Sequence, residues 1–90
     1  MCIRDRRTLL EYIRSTPTPD NGAWRELANI EQKLGNESAS HEALASYFSN
    51  LNNSFRAREQ LQLAMRSVRK GTNDELRIRA KLRELEQVAR

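Results

Sequence analysis

The chain has 90 residues, 38% apolar and 31% charged, with a net charge of +4 and a pI near 9.8, so it can form at most one small domain with a thin core. No apolar run approaches the roughly 20 residues that span a bilayer, and one cysteine (Cys2) and one histidine (His41) provide neither an internal disulfide nor a second imidazole for a metal. Eleven Leu, nine Ala and 13 Arg beside four Ile, two Val and three Gly favour helix over strand, and the expected fold class is all-α.

Turn-forming residues divide the chain into five helical segments, expected at 5–15, 21–34, 38–50, 54–69 and 74–89. The first bears Leu9, Leu10 and Ile13 and ends before Pro17 and Pro19, which block helical continuation. In the second, Ala23, Leu27, Ile30 and Leu34 recur at helical spacing, with Trp24 and Ala28 widening the stripe. Gly35 reads as a left-handed helix stop, as does Gly71. The third segment, with Ser38 as its expected N-cap, carries Leu44, Phe48 and Leu51 on one face and Ala39, Ala43 and Tyr47 on a neighbouring one. It should be the most enclosed helix, packed between two partners. Asn53 or Ser54 should cap the fourth, whose stripe is Ala57, Leu61, Ala64 and Val68. Thr72 and Glu75 fit a capping box before the fifth, whose stripe is Ile78, Leu82, Leu85 and Ala89.

Successive helices start about 17 residues apart, so a helix pair spans about 34, the period of the tetratricopeptide (TPR) repeat. One frame runs from Trp24 through Leu27 and Ala28 to Gly35 at the turn, with Glu31 where an aromatic is usual. A second starts at His41 and gives Leu44, Ala45 and Phe48, then Asn52 at the turn, then Ala57, Leu61 and Ala64. The second frame fits better over 38–70. Small residues let helix axes approach while Leu and aromatic side chains fill the gaps between them. The expectation is therefore a right-handed TPR-like stack of antiparallel hairpins, with a generic small bundle as the alternative.

Over 20–88, the strings DNGAW, LGN, HEALASYF, AREQLQLAM and LRIRAKLRELE are similar to the C-terminal TPR region of BepA-type proteases, the β-barrel assembly-enhancing zinc metalloproteases of the periplasm. That resemblance implies a periplasmic location and protein or peptide partners, chiefly outer-membrane β-barrel proteins or their assembly complex. It also implies zinc in a separate HExxH domain that this segment does not include. His41-Glu42 begins such a string, but Ala45 stands where the second histidine would be. No cofactor is expected in these residues, and His41 reads as a packing position. The first helix resembles the second helix of a preceding repeat whose own partner lies upstream. Residues 1–5, MCIRD, have no counterpart in the alignment, and no signal peptide is recognisable. The expected organisation is a non-native or disordered start at 1–5 and a TPR-like fragment over 6–90, ending in a capping helix.

A solenoid groove suits an extended peptide. The Trp24 frame turns Arg25, Asn29, Gln32 and Lys33 toward that groove, and the His41 frame turns Glu42, Ser46, Ser49 and Asn50 toward it. A carboxylate clamp of the kind some TPR co-chaperones use is disfavoured, because Ala43 replaces a polar ligand. Charge sums to +1 over 1–20, −2 over 21–55 and +5 over 56–90. Nucleic acid is therefore a rival partner, though acids interleave with the bases and no stacking aromatics accompany them. The pairs Glu75–Arg79, Lys81–Glu84, Arg83–Glu86 and Glu86–Arg90 are spaced for helix-surface bridges. No nucleophile with a base, phosphate loop or acid pair points to an enzyme. The reading is a protein-interaction module, with a free-standing adaptor as the alternative and a basic nucleic-acid-binding domain third.

Overall fold

A computed structural model describes residues 5–88, and among these all regular structure is helical: α1 (Arg6–Ser15), α2 (Asn21–Lys33), α3 (Glu37–Asn50), α4 (Ser54–Ser67) and α5 (Asn73–Val88). The all-α expectation holds, and each predicted segment lies within two residues of an observed helix. Connections of three to five residues reverse the chain between consecutive helices, so sequence neighbours pack side by side. Cys2, Ala89 and Arg90 lie outside the described residues.

Local chemistry sets most helix ends. Asp5 caps α1 by accepting from the Thr8 N–H at 2.7 Å. Asp20 caps α2 through the Ala23 N–H, and Asn53, as expected, caps α4 through the Arg56 N–H. α2 closes with Gly35 at φ 82°, its N–H bonded to Gln32 O and the Asn36 N–H to Glu31 O. α3 closes identically with Asn52 at φ 59°, Asn52 N–H to Ser49 O and Asn53 N–H to Phe48 O. These are paired six-to-one and five-to-two closures around a left-handed residue, a conformation glycine adopts freely and asparagine tolerates.

Two boundaries depart from expectation. α3 starts before Ser38, and its N-cap Asn36 makes no side-chain capping bond; its amide donates to the Glu31 carboxylate at 3.0 Å. Gly71 does not end α4, which stops at Ser67 when Val68 turns extended and buries its side chain. Gly71, at φ 79°, instead serves the start of α5: its N–H donates to Glu75 Oε1 at 2.8 Å while the Glu75 N–H donates to Thr72 Oγ1 at 3.3 Å. The capping box thus forms with its return bond one residue upstream.

The core has two lobes meeting across α3. Leu9, Ala23, Leu27, Ala28 and Ala43 form one, and Ala45, Leu61, Ala64, Val68 and Ile78 the other. α3 is the shared wall, as its two-faced pattern foretold, but its buried positions are Ser40, Ala43 and Ala45. Leu44 and Phe48 are half-buried and Leu51 is 50% exposed. Leu34, expected on the α2 stripe, is 60% exposed. Both leucines sit on helix-closing turns, where the chain leaves the packed face. The α4 stripe is buried in full, from Ala57 through Leu61 and Ala64 to Val68. Alanines at closest approach let backbones meet: Ser40 Oγ donates to the Ala28 carbonyl at 2.8 Å, tying α3 to α2 inside the core.

Candidate functional site: a groove across α3

α1, α3 and α5 share one side of the molecule, and a groove runs between the outer two with α3 as its floor. It consists of two recesses of about 460 and 410 Å³ that share Trp24, Ser46 and Lys81. Ala39, Ala43, Ser46 and Ser49 recur along α3 at helical spacing, and their small side chains keep the floor low. One wall carries Leu10 and Ile13 of α1, flanked by Arg6 and Arg14, then Pro17 and Pro19 of the connection, with Trp24 at its base. α5 forms the other wall, presenting Asp74, Arg77, Lys81, Glu84 and Leu85.

A three-residue ion cluster builds the α5 wall. Arg77 donates from Nε and Nη2 to the two Glu42 oxygens at 2.7 and 2.9 Å, and Lys81 Nζ donates to Glu42 Oε2 at 2.8 Å. Arg77 also pairs with Asp74 at 3.0 Å, one turn back on α5. The two-pronged arginine contact fixes the guanidinium plane as well as its position. The Glu42 side chain is only 12% exposed, whereas Arg77 and Lys81 are 50% and 39% exposed. Burial pushes the Glu42 carboxyl up, but the bonds from Arg77 and Lys81 outweigh it and hold it below the ordinary carboxylate value. The same bonds push the Arg77 guanidinium higher still.

Because the folded Glu42 titrates below its unfolded counterpart, its contribution is complete above the unfolded value, about pH 4.3, and is lost as pH falls through the folded value. Asp5 behaves likewise, held low by the Thr8 N–H. The expected outcome is that the Glu42→Gln variant loses less melting temperature than the parent chain between neutral and acid pH, as measured by circular dichroism. The difference between the two melting curves isolates Glu42 from Asp5.

Of the residues expected to face a groove, Ser46, Ser49 and Asn50 line this one. Glu42 lines it too, but its carboxylate is taken by Arg77 and Lys81, so it positions those cations and is not itself free to bond a peptide. Arg25, Asn29, Gln32 and Lys33 are exposed on α2 and line neither recess. α1 therefore lines the groove together with α3 and α5. Among the repeat-packing positions, Leu27, Ala28, Ala45, Ala57, Leu61 and Ala64 are buried, Trp24, His41, Leu44 and Phe48 are half-buried, and Gly35 is exposed at its turn. His41 does more than fill space, because its Nδ1 lies 2.8 Å from Gln60 Oε1 on α4. Lys81, expected to pair with Glu84, reaches Glu42 instead, while Glu75–Arg79 forms at 3.1 Å as expected.

Sequence reasoning missed two features. Glu31, the misfit in the Trp24 frame, is 3% exposed and accepts from Arg6 Nε at 2.7 Å and Asn36 Nδ2 at 3.0 Å. A carboxylate can occupy that position because a cation from α1 and a turn amide both reach it. The Glu42 cluster joins residues 35 and 39 positions apart, and no local spacing announces it. Among the described residues no cluster of His, Cys, Asp or Glu could hold a metal, and no helix is long and apolar enough to cross a membrane. No family model, curated protein or solved structure matches the chain.

Proposed function

We propose that the chain is a protein-recognition module that holds an extended polypeptide in the groove across α3, and that it serves as the C-terminal TPR-like region of a periplasmic β-barrel assembly-enhancing metalloprotease. In this reading its clients are outer-membrane β-barrel proteins or their assembly machinery. The zinc chemistry belongs to a separate HExxH domain, and the groove contributes binding without catalysis. The observation that supports recognition is the groove itself: a wall bearing apolar side chains, a low polar floor and a charged wall, all mounted on packed helices. Apolar side chains of a client would gain from burial on Leu10, Ile13 and Trp24, while Ser49 and the oxygens of Ser46 and Asn50, whose donors already reach the Glu42 and Pro19 carbonyls, offer hydrogen bonds to its backbone. The family assignment rests on the residue likeness from DNGAW to LRELE.

Trp24 is the sole tryptophan and sits at the junction of both recesses, so its emission reports occupancy directly. Titration with a denatured outer-membrane β-barrel protein, diluted from urea, should shift that emission saturably. Ser46→Phe, which fills the floor, should weaken binding about tenfold, a cost of ~1.4 kcal/mol, while leaving the circular dichroism melt intact. An unchanged emission at saturating client would refute the reading. Duplex DNA should give no shift; a DNA-induced shift that collapses between low and physiological salt would favour the nucleic-acid alternative instead.

A further inference from the structure

The groove-facing charged residues of α5 run acid, base, base, acid along the helix: Asp74, Arg77, Lys81, Glu84. The two cations stand in the middle and the two acids at the ends. The acid shared by both cations, Glu42, lies beneath at 12% exposure while Arg77 and Lys81 stay half exposed; Asp74, 60% exposed, also bonds Arg77, so Lys81 is the cation whose bonded acid is the buried one. Glu42 holds both cations in place, so little side-chain freedom remains to be lost when a partner carboxylate arrives. Trp24 and Leu85 lie in the groove with Lys81, giving apolar surface around the cations.

From this pattern we propose that the groove selects an extended polypeptide segment with a single internal acidic side chain, which meets Arg77 and Lys81 while its apolar neighbours cover Trp24 and Leu85. The inference rests on the groove-binding function proposed above and specifies its ligand. The acid is internal because Lys81 belongs to both recesses: the groove continues to either side of it, and a chain end there would leave half the groove empty. Along the α5 wall a row of phosphates or carboxylates would meet Asp74 and Glu84 on either side of the cations, which disfavours a polyanion there although Arg6 and Arg14 line the opposite wall.

The test is an array of short amidated peptides of random sequence probed with the full chain, followed by solution affinities for the best binders. The expected result is enrichment of one Asp or Glu per peptide flanked by apolar residues, with Asp→Asn in a selected peptide weakening binding about tenfold, as a charge-assisted bond of this kind provides. Lys81→Gln should abolish the preference for Asp over Asn while retaining affinity for the Asn peptide, and that retained binding also certifies its fold. Apolar enrichment without an acid, or a preference that survives both Lys81→Gln and Arg77→Gln, overturns the inference and leaves groove binding standing. Absence of any enrichment overturns both. Enrichment of acidic runs overturns the single-acid pattern in favour of polyanion binding.

Discussion

Replacing Leu61 with alanine should lower stability by about 3 kcal/mol, within the range for a large buried aliphatic cut back in a core. Leu61 is 1% exposed and, with Ile78, one of the two large fully buried side chains of the lobe that joins α3, α4 and α5, where Ala45 and Ala64 are also buried. Alanines cannot lean into the space it vacates, so the cavity should persist and the cost should lie above the transfer value for the lost methyls alone. Total stability for a domain of this size is on the order of 5–10 kcal/mol, so the melting temperature should fall far enough to read without ambiguity. A loss below about 1 kcal/mol in a urea titration would mean that this lobe is not the packed core described.

The second large effect is expected at Ala43. Its side chain is 3% exposed on the wall shared by the lobes, and it also forms part of the groove floor. Ala43→Asp would place a carboxylate against Leu9, Leu27 and Ala28 in the core lobe, a burial that stays unfavourable until the group is protonated or the helices part. The variant should be largely unfolded at neutral pH by circular dichroism and should regain helix as the acid is protonated. Leu44→Asp should be milder despite the larger residue lost, since Leu44 is half-buried and an aspartate there can turn outward. If Leu44→Asp proves the more damaging of the two, the facing of α3 is misassigned.

That contrast shows where the sequence was legible and where it was not. Periodicity located all five helices, and the αL-prone residues Gly35 and Asn52 marked two closures, because these are local properties of backbone conformation. Periodicity also located the buried face of α4 completely, since its Ala57, Leu61, Ala64 and Val68 form a single stripe that is buried throughout. α3 was harder because it packs on two sides. Two partly overlapping stripes look alike in sequence: Ala43 and Ala45 both read as packing positions and are buried, but Leu44, Phe48 and Leu51 read equally so and are not. Leu34 and Leu51 continued a stripe on paper but fell on turns that carry them into solvent. Glu31 could be understood only once Arg6, 25 residues away, was known to reach it. The groove was readable as two incompatible candidates, one per repeat frame. Arg25, Asn29, Gln32 and Lys33 fit the helical spacing as well as Ser46, Ser49 and Asn50 do, and only the arrangement of α1 and α5 on either side of α3 separates them.

The most direct test of the groove's role is site-specific photo-crosslinking to a denatured outer-membrane β-barrel protein, with the photoreactive residue placed at Ser49 on the floor or at Asn29 on the outer face of α2. The account predicts adducts from Ser49 that disappear when Ser46→Phe fills the floor, and none above background from Asn29. Adducts from Asn29 equal to or stronger than those from Ser49 would contradict it.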